Sequence, residues 1–365
     1  MKLGEVFKLS SGKSLPEKKR TPGSHNVYGG NGITGNHNAY FVEKPTVVIG
    51  RVGEYCGTVH LTTEKCWITD NALMVTEWYQ DVDKQYLVYV LNAMNLHQYA
   101  KTVGQPSISQ ANVYGLDINL PLIEQQQEIV KILNLISKII IDRKEELKQL
   151  DELIKARFVE LFGDVKTNKF GWEKCRFGDV ATKITDGEHG TVPRVEKGEG
   201  YLYFMARNIT KDGNIDLTET SYVPKEVHRK IYKRCNPETG DILLVYVGAT
   251  IGKCTIVPKD FEEFSMARSV ALIKPDRQKV NSTFLISLLK SDAIQNDISN
   301  CAHAVAQAGL YTNMIINLDA FLPPMELQNQ FATFVEQTDK SKVVVQKALD
   351  ETQLLFDELM QEYFG

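Results

Sequence analysis

The chain has 365 residues, of which 43% are hydrophobic and 24% charged, and its formal net charge at pH 7 is −4. This composition predicts a globular protein of two or three domains, and no apolar run approaches the ~18 residues of a membrane span. The first residues lack the apolar stretch of a signal peptide, and the 6 cysteines and 7 histidines show no zinc-binding spacing, so we expect reduced thiols in a cytoplasm and no metal site.

Residues 1–119 are predicted to form a first α+β module. Short β-rich runs at 46–50, 56–61 and 72–75 are separated by turn residues and predict strands, and residues 85–99 predict a helix. The sequence therefore predicts a small, mostly β module in this part of the chain.

Residues 120–164 are predicted to form one long helix. Apolar side chains recur alternately every four and three residues, which is the pattern of a coiled-coil seam. Pro121 suits the first turn of this helix, and Gly163 suits its end. The apolar seam positions are Ile129, Leu133, Ile136, Ile140, Leu147, Leu150, Ile154 and Leu161.

Residues 165–321 repeat the plan of the first module with insertions. The apolar run 241–248 matches the first predicted strand, so Gly53 and Gly57 align with Gly248 and Gly252. A longer block at 185–234 precedes that run and has a shorter, different equivalent in the first module. The two modules are therefore expected to share a frame and to differ where a binding surface would lie.

Residues 322–365 repeat the first long helix without a gap, since each position follows its partner by 202 residues, as 322 follows 120. An internal repeat indicates the architecture directly, and here it predicts a module followed by a long helix, twice along the chain. We predict that the two helices, each of about 40 residues and about 60 Å, pair with each other. The apolar seam positions of the second copy are Phe331, Val335, Val345, Leu349, Phe356, Leu359 and Tyr363.

The negative charge is concentrated on the helices. Residues 322–365 carry 3 Lys/Arg against 8 Asp/Glu, whereas residues 165–321 carry 21 against 19. The near-neutral to slightly basic modules are compatible with a DNA-binding face without demonstrating one.

Motifs for catalysis or nucleotide binding are incomplete. The run 30–35 satisfies G-x-G-x-x-G, but no helical pattern follows it, so a glycine-rich turn is the better interpretation. The run 248–254 resembles a P-loop, but it has one residue too few between its glycines and a cysteine in place of Ser/Thr. Neither a metal-dependent nuclease pattern nor an amino-methyltransferase tetrad is complete, so the sequence predicts no catalytic residue.

Several motifs recur in a fixed order along the chain. Leu-Pro…Glu-x-Gln helix starts stand at 120–126 and 322–328, and both predicted helices end in Phe-Gly. Tyr-Gly-Gly-Asn-Gly stands at 28–32, Phe-Gly-Asp at 177–179 and Gly-Asp-Ile-Leu at 240–243. Together these motifs resemble those of the specificity subunits of type I restriction–modification systems. The first module departs from the pattern because it lacks the tryptophan-containing lead that precedes Phe177.

The resemblance implies a non-catalytic DNA-binding subunit with two target recognition domains at 1–119 and 165–321. These domains would be joined and spaced by antiparallel coiled-coil helices at 120–164 and 322–365. Each domain would read one half of a split, asymmetric double-stranded DNA target. Since a helical rod of about 60 Å spans at most roughly 18 base pairs, we expect the half-sites to lie within that distance. Two methyltransferase subunits would bind S-adenosylmethionine and methylate adenine at N6. A motor-nuclease subunit would supply cleavage, and ATP and magnesium would also lie on partner subunits.

Candidate DNA contacts are polar and basic residues in the divergent loops. Arginine can bind guanine bidentately, Asn and Gln can bind adenine, and lysine more often contacts phosphate. In the first module the candidates are Lys13, Lys18, Lys19, Arg20, Asn31, Arg51 and Gln105. In the second they are His189, Arg194, Arg207, Asn208, Lys211, Arg229, Lys230, Lys233, Arg234 and Arg268.

Two functions from other classes remain open on the sequence. A repeat-built coiled-coil scaffold that binds only proteins would lack a basic face on its modules. An autonomous methyltransferase or nuclease would need chemistry that the incomplete motifs do not supply.

Overall fold

A computed structural model describes residues 1–101, 104–303 and 311–365, and its fold is α+β. The chain divides into two compact units, residues 1–145 with 346–365 and residues 146–345. Each unit contains one module and parts of both long helices. The boundaries between the units therefore lie within the long helices, at residues 145/146 and 345/346. Within the described ranges, no helix is both long and apolar enough to cross a membrane.

The first module is built on two small sheets. Its strands are β1 (Phe7–Ser11), β2 (His25–Gly29), β3 (Gly32–His37), β4 (Val47–Gly50), β5 (Val59–Leu61), β6 (Trp67–Ile68) and β7 (Ala72–Trp78). One sheet has the order β1-β7-β4-β5 and is antiparallel. The other has the order β3-β2-β6, in which β2 and β6 run parallel.

The strands predicted at 46–50, 56–61 and 72–75 are confirmed as β4, β5 and β7, with shifted ends. The glycine run 30–35 begins in the β2–β3 turn and continues into β3, which confirms that it does not open a helix. The predicted helix 85–99 is divided into α1 (Lys84–Ala93) and a short 3₁₀ turn (Leu96–Tyr99). Asn95, between them, has a left-handed backbone with φ of 46°, which ends the helix.

A short helix α2 (Gln110–Tyr114) is the last element of the first module, and the long helix α3 (Ile123–Phe162) connects it to the second module.

The second module repeats the topology of the first. The second module contains β8 (Glu173–Arg176), β9 (Ala181–Asp186), β10 (Tyr201–Phe204), β11 (Tyr222–Val223), α4 (Lys225–Cys235), β12 (Ile242–Val245), β13 (Cys254–Ile256), β14 (Phe264–Met266), β15 (Val270–Pro275), α5 (Ser282–Leu289), α6 (Asp292–His303), α7 (Thr312–Ile316) and β16 (Asp319–Leu322).

The sheet orders show which strands of the two modules are equivalent. The order β9-β15-β12-β13 corresponds to β1-β7-β4-β5, and β11-β10-β14 corresponds to β3-β2-β6 with the same parallel pair. The aligned loop glycines Gly53, Gly57, Gly248 and Gly252 all have positive φ, so the predicted equivalence of the two loops is confirmed. Helix α4 has no counterpart in the described part of the first module, where β2 and β3 form a tight hairpin instead.

The two long helices are present as predicted, α3 and α8 (Met325–Phe364), each of 40 residues. In the first unit, Tyr86 packs edge-on against Phe364 at the end of α8, and the same core includes Ile129 near the start of α3. In the second unit, Phe162 at the end of α3 packs against Phe331 near the start of α8, with ring centroids 5.5 Å apart. Within each unit the helices are therefore antiparallel.

The predicted seam positions are buried or half-buried along both helices. On α3 they are Ile129, Leu133, Ile136, Ile140, Leu147, Leu150, Ile154 and Leu161. On α8 they are Phe331, Val335, Val345, Leu349, Phe356, Leu359 and Tyr363. Phe158 and Phe162, which were not among the predicted seam positions, are also buried in the core of the second unit.

Lys342 lies three residues before the seam position Val345 on α8 and forms a bridge between the helices. The Lys342 ammonium lies 2.8 Å from a carboxylate oxygen of Asp151 on α3 and 3.0 Å from Asp339 on its own helix. A lysine that finds a carboxylate on the partner helix favours one register of pairing over others.

A buried glutamine attaches each long helix to its module. The Gln126 amide accepts a hydrogen bond from the backbone N–H of Asp83, the N-cap of α1, at 3.0 Å and donates to the Pro121 carbonyl at 2.8 Å. Gln328 does the same with Asn281, the N-cap of α5, at 2.8 Å and with Pro323 at 2.8 Å. Both glutamines are 1% exposed or less. The equivalent hydrogen bonds therefore explain why both copies of the repeat have glutamine at this position.

We expect Gln328→Ala to destabilise the attachment of α5 by about 1–3 kcal/mol, because the buried N–H of Asn281 loses its acceptor. Hydrogen exchange of the α5 amides, followed by mass spectrometry, should become faster. Gln330→Ala, an exposed change two residues further along α8, is the matched control and should leave this exchange unchanged. Equal exchange in the two variants would contradict the role given to Gln328.

Candidate nucleic-acid interface

Each module has one sheet end that lies away from its long helices, which we call the distal end. In the first module it is formed where β1 and β4 end and β7 begins, since Ser11 pairs with Leu73 and Gly50 pairs with Ala72. In the second it is formed where β9 and β12 end and β15 begins, since Asp186 pairs with Ala271. The opposite end of each sheet leads directly into α1 or α5.

A glycine brings the backbone close at the distal end of both modules. Gly12 follows β1, and a Cβ there would lie 2.3 Å from the carbonyl oxygens of Ile68 and Thr69. Gly187 follows β9, and a Cβ there would lie 2.3 Å from the carbonyl oxygens of Met266 and Ala267. The two turns are therefore equivalent, and any side chain larger than hydrogen would separate these strands.

Four of the predicted residues of the first module meet at its distal end. Lys13 follows Gly12, and its ammonium lies 4.5 Å from the centroid of the Phe41 ring. Arg51 follows β4 and donates to the Ser11 hydroxyl at 3.2 Å. Asn31 lies in the β2–β3 turn, whose Gly30 packs against residues 52 and 71, and Gln105 lies beside Gly53.

The other three predicted residues of the first module lie beside that end. Lys18 and Lys19 are exposed on a 3₁₀ turn (Glu17–Lys19). Arg20 is held by the protein, because its guanidinium donates to the Thr34 carbonyl at 2.7 Å and to the Thr34 hydroxyl at 3.2 Å. Lys18 and Lys19 therefore have freer side chains than Arg20.

In the second module four predicted residues converge at the distal end. The Arg194 guanidinium lies 4.1 Å from the centroid of the Tyr203 ring. Burial raises the pKa of Tyr203, and the positive charges of Arg194 and Arg268 oppose that shift. His189 lies 2.6 Å from the Asp186 carboxylate, and Arg234 donates to the Gly187 carbonyl. A cationic surface therefore surrounds the end of β9.

Helix α4 has one basic and one buried face. His228, Ile231 and Cys235 are buried, with His228 stacked on the ring of Tyr201 at 3.7 Å. The opposite face is exposed and carries the predicted residues Arg229, Lys230, Lys233 and Arg234. Among the described residues, the side chains of Arg229, Lys230 and Lys233 make no hydrogen bond or salt bridge. They are therefore free to meet phosphates.

The remaining predicted residues have different surroundings. Arg207 is exposed and donates to the Ser221 hydroxyl at 2.8 Å, while Lys211 is exposed in a turn. The structure does not support Asn208 as a DNA contact, because it is 1% exposed. Its amide donates to the Asp216 and Glu219 carbonyls at 2.9 and 3.0 Å and accepts from the Met205 N–H at 3.0 Å. We assign Asn208 to holding this loop.

Asp186 is the electrostatic centre of the second distal end. Burial alone would raise its pKa, but hydrogen bonds from Tyr246 at 2.7 Å and His189, with the charge of Arg234, hold the pKa below its usual 3.8. Burial, together with the bond to Asp186, raises the pKa of Tyr246 well above its usual range. Tyr246 is 4% exposed, so it positions Asp186 rather than facing solvent.

Sequence reasoning missed several residues at these ends. Asp186 and Tyr246 are bonded across 60 residues of sequence, and Asp70 is exposed just before β7. Tyr55 is 52% exposed in the loop after β4. The alignment of strand ends between the modules was the signal that could have found them, since it places Ser11 with Asp186 and Arg51 with Tyr246.

In the ranges for which the structure is given, no group of three or more His, Cys, Asp or Glu side chains could hold a metal ion. The cysteines described, Cys56, Cys66, Cys175, Cys235, Cys254 and Cys301, are unpaired thiols.

Sequence comparison matches residues 1–152 and 170–351 to the family model described as type I restriction modification DNA specificity domain. The chain is 30% identical over 137 residues to the EcoprrI specificity subunit of Escherichia coli, covering 36% of this chain and 34% of that protein. It is 23% identical over 326 residues to the EcoBI specificity subunit of E. coli, covering 82% of this chain and 67% of the relative. It is 24% identical over 288 residues to the MjaVIII specificity subunit of Methanocaldococcus jannaschii, covering 73% and 68%.

Solved structures share the fold. The chain superposes with a TM-score of 0.64 on a type I restriction–modification S subunit from M. genitalium, at 16% identity, covering 100% of this chain and 95% of that one. A second chain, solved in work on complex assembly and conformational transition of the type I R-M system, gives a TM-score of 0.57 at 15% identity, covering 100% and 96%.

We expect Tyr246→Phe to raise the pKa of Asp186, because the variant removes the hydroxyl that donates to its carboxylate. A group whose folded pKa is lowered adds stability above its unfolded pKa and loses it as pH falls. The variant should therefore be most destabilised near neutral pH, and the difference from wild type should shrink below about pH 4. Carbon-detected NMR titration of Asp186 measures the shift, with Tyr232→Phe as the control. An unchanged Asp186 pKa in Tyr246→Phe would contradict this account.

Proposed function

The chain belongs to the type I restriction modification DNA specificity domain family, and we propose that it reads a split, asymmetric DNA target, one half with each module. It is a non-catalytic specificity subunit, and its task is to choose the site at which other subunits act.

The observation that carries this proposal is the convergence of polar and basic residues at the same end of both modules. Arg51 and Lys13 lie there in the first module, and Arg194, Arg234 and Arg268 lie there in the second. Sequence readout requires base-edge contacts that differ between sites, while phosphate contacts hold the protein in register. Because the two modules share one scaffold but carry different side chains at their distal ends, they would recognise two different half-sites. An asymmetric target requires this difference.

We assign the long helices to spacing and docking. Their seam is filled by the chain's own side chains, whereas residues 322–365 carry 3 Lys/Arg against 8 Asp/Glu. Such an acidic surface is repelled by phosphates and suits contact with protein. The partners we propose are two methyltransferase subunits, with motor-nuclease subunits in the full restriction complex.

The chemistry in this proposal belongs to those partners. S-adenosylmethionine would be bound by the methyltransferase subunits for adenine N6 methylation, and ATP and magnesium would serve the partner subunits. We place the assembly in the cytoplasm, where the DNA is.

We expect cells that carry this gene with its methyltransferase to show a split, asymmetric methylation motif that disappears on deletion of the gene. The reason is that the methyltransferase would lose the subunit that selects its sites. Single-molecule sequencing of the methylated genome measures this directly, and restoring the gene on a plasmid is the control. A methylation pattern that is identical with and without the gene would overturn the proposed function.

We expect Arg229→Gln with Lys233→Gln on α4 to weaken DNA binding about equally for all sequences. The slope of log affinity against log salt should become shallower by about two, one for each lost phosphate contact. Binding titrations of the complex with its methyltransferase at several salt concentrations measure the slope. Lys340→Gln with Lys347→Gln on α8 removes the same charge and should leave the slope unchanged, since these lysines pair with Glu336 and Glu351. A slope identical to wild type in the α4 variant would remove this helix from the interface.

A further inference from the structure

One position at the distal end carries opposite charge in the two modules. Asp70 lies two residues before the first residue of β7, and Arg268 lies two residues before the first residue of β15. The turns that contain them are matched, since the Ala72 N–H donates to the Thr69 carbonyl at 3.1 Å and the Val270 N–H donates to the Ala267 carbonyl at 3.0 Å. The two side chains therefore leave equivalent points of the same scaffold.

The turn that presents Arg268 is fixed while its guanidinium is free. The Arg268 backbone N–H donates to the Glu188 carbonyl at 3.0 Å, and Gly187 allows the strands to approach closely at this point. The side chain is exposed and makes no hydrogen bond or ion pair with any residue that the structure describes. A planar guanidinium on a fixed turn has its donors available for an external acceptor.

Asp70 is presented in the same way. Its backbone carbonyl lies 3.5 Å from the Arg51 guanidinium, which donates more closely to the Ser11 hydroxyl, and its exposed carboxylate has no hydrogen-bond partner within the described ranges. The neighbouring Arg51 N–H donates to the Asn71 carbonyl at 2.9 Å, as the Tyr246 N–H donates to the Ser269 carbonyl at 3.2 Å. Asp70 therefore lies beside Arg51, which follows β4, and Arg268 lies in the same way beside Tyr246, which follows β12.

The opposite charges indicate what this position faces. A carboxylate that faced a phosphate would be repelled, so a position occupied by Asp in one module cannot serve phosphate contact in a common binding mode. Base edges accept either charge, because guanine offers the O6 and N7 acceptors and cytosine offers the N4 amino donor. An aligned position that carries Arg in one module and Asp in the other therefore suits base readout.

We infer that Arg268 and Asp70 are specificity-determining residues, Arg268 selecting guanine in one half-site and Asp70 selecting cytosine, through its amino group, in the other. This inference rests on the proposed function and assigns one base of each half-site to a named side chain. Ser11, which accepts from Arg51, and the bonded pair Asp186 and Tyr246 act as positioning residues at the same ends.

The test is the methylation motif of cells that express the whole complex with variant forms of this chain. Arg268→Ala should relax one guanine of one half-site to several bases, with a loss of discrimination of roughly ten- to a hundredfold, and leave the other half-site unchanged. Asp70→Ala should relax one cytosine of the other half-site only. Asp70→Asn should shift preference at that position towards adenine, which an amide binds bidentately.

The matched controls lie at the opposite ends of the same sheets. Arg277 lies two residues after β15, and Asp81 lies shortly after β7. Arg277→Ala and Asp81→Ala should leave both half-sites as in the wild type. Circular dichroism and co-purification of the methyltransferase check that each variant folds and assembles.

The outcomes separate this inference from the proposed function. A wild-type complex with no motif dependent on this chain would overturn the proposed function and, with it, the inference. A wild-type motif that stays unchanged in Arg268→Ala and Asp70→Ala would overturn the inference alone.

If Arg268→Ala folds and assembles but loses methylation at all sites, Arg268→Lys decides the question. Relaxed choice with methylation retained supports base readout, since lysine keeps the charge without the fork of donors. The wild-type motif in Arg268→Lys would overturn it, because charge alone would then suffice.

Discussion

The buried glutamine at the start of each long helix is the contact on which the arrangement of each unit depends. Gln126 and Gln328 each join the N-cap backbone of a module helix to the first turn of a long helix, and both are almost completely buried. A buried amide that loses its partners costs more than an ordinary hydrogen bond contributes, so the module cannot rotate away from its helix at low cost. The Phe-Gly helix ends complete the attachment from the other side, since Phe162 packs on Phe284 and Phe364 packs on Tyr86.

Fixing one end of each sheet leaves the other end free to vary. The glycine turns at Gly12 and Gly187 and the positive-φ loop glycines keep the two distal ends in the same backbone path. Side chains on that path then differ without disturbing the core, as Arg51 bonded to Ser11 is replaced by Tyr246 bonded to Asp186. Residues at loop ends on a rigid scaffold are where proteins concentrate recognition, because changes there have little effect on packing. The buried contacts lie at the end of each sheet that faces the long helices, so the scaffold is the same in both modules while the side chains at the distal end differ.

The sequence predicted the features that repeat or extend far along the chain. The constant spacing of 202 residues predicted both long helices, their seam and the paired starts, because the heptad pattern is sustained over 40 residues. Strands β1, β2, β3 and β6 were not predicted, since each is short and several carry polar or glycine residues without alternation. The sequence predicts Asn208 as a DNA contact, but burial is a tertiary property and the partners of its amide lie eight and eleven residues away. The strand-end alignment points to the positions of Asp186 and Tyr246, but their hydrogen bond is a tertiary contact that only the pairing of the sheet creates.

The two modules differ in how they would divide affinity and selectivity under the proposed function. Helix α4 gives the second module three exposed cations that have no partner among the residues that the structure describes, while the first module has its candidate cations at Lys13, Lys18, Lys19 and Arg51. Phosphate contacts contribute affinity whatever the sequence, whereas base contacts contribute only at the right site. A complex anchored mainly through the second module would still need the first, because a base-edge mismatch costs the same wherever the binding energy originates. Unequal anchoring is therefore compatible with equal selectivity, provided that each distal end presents its own side chains from the shared turn.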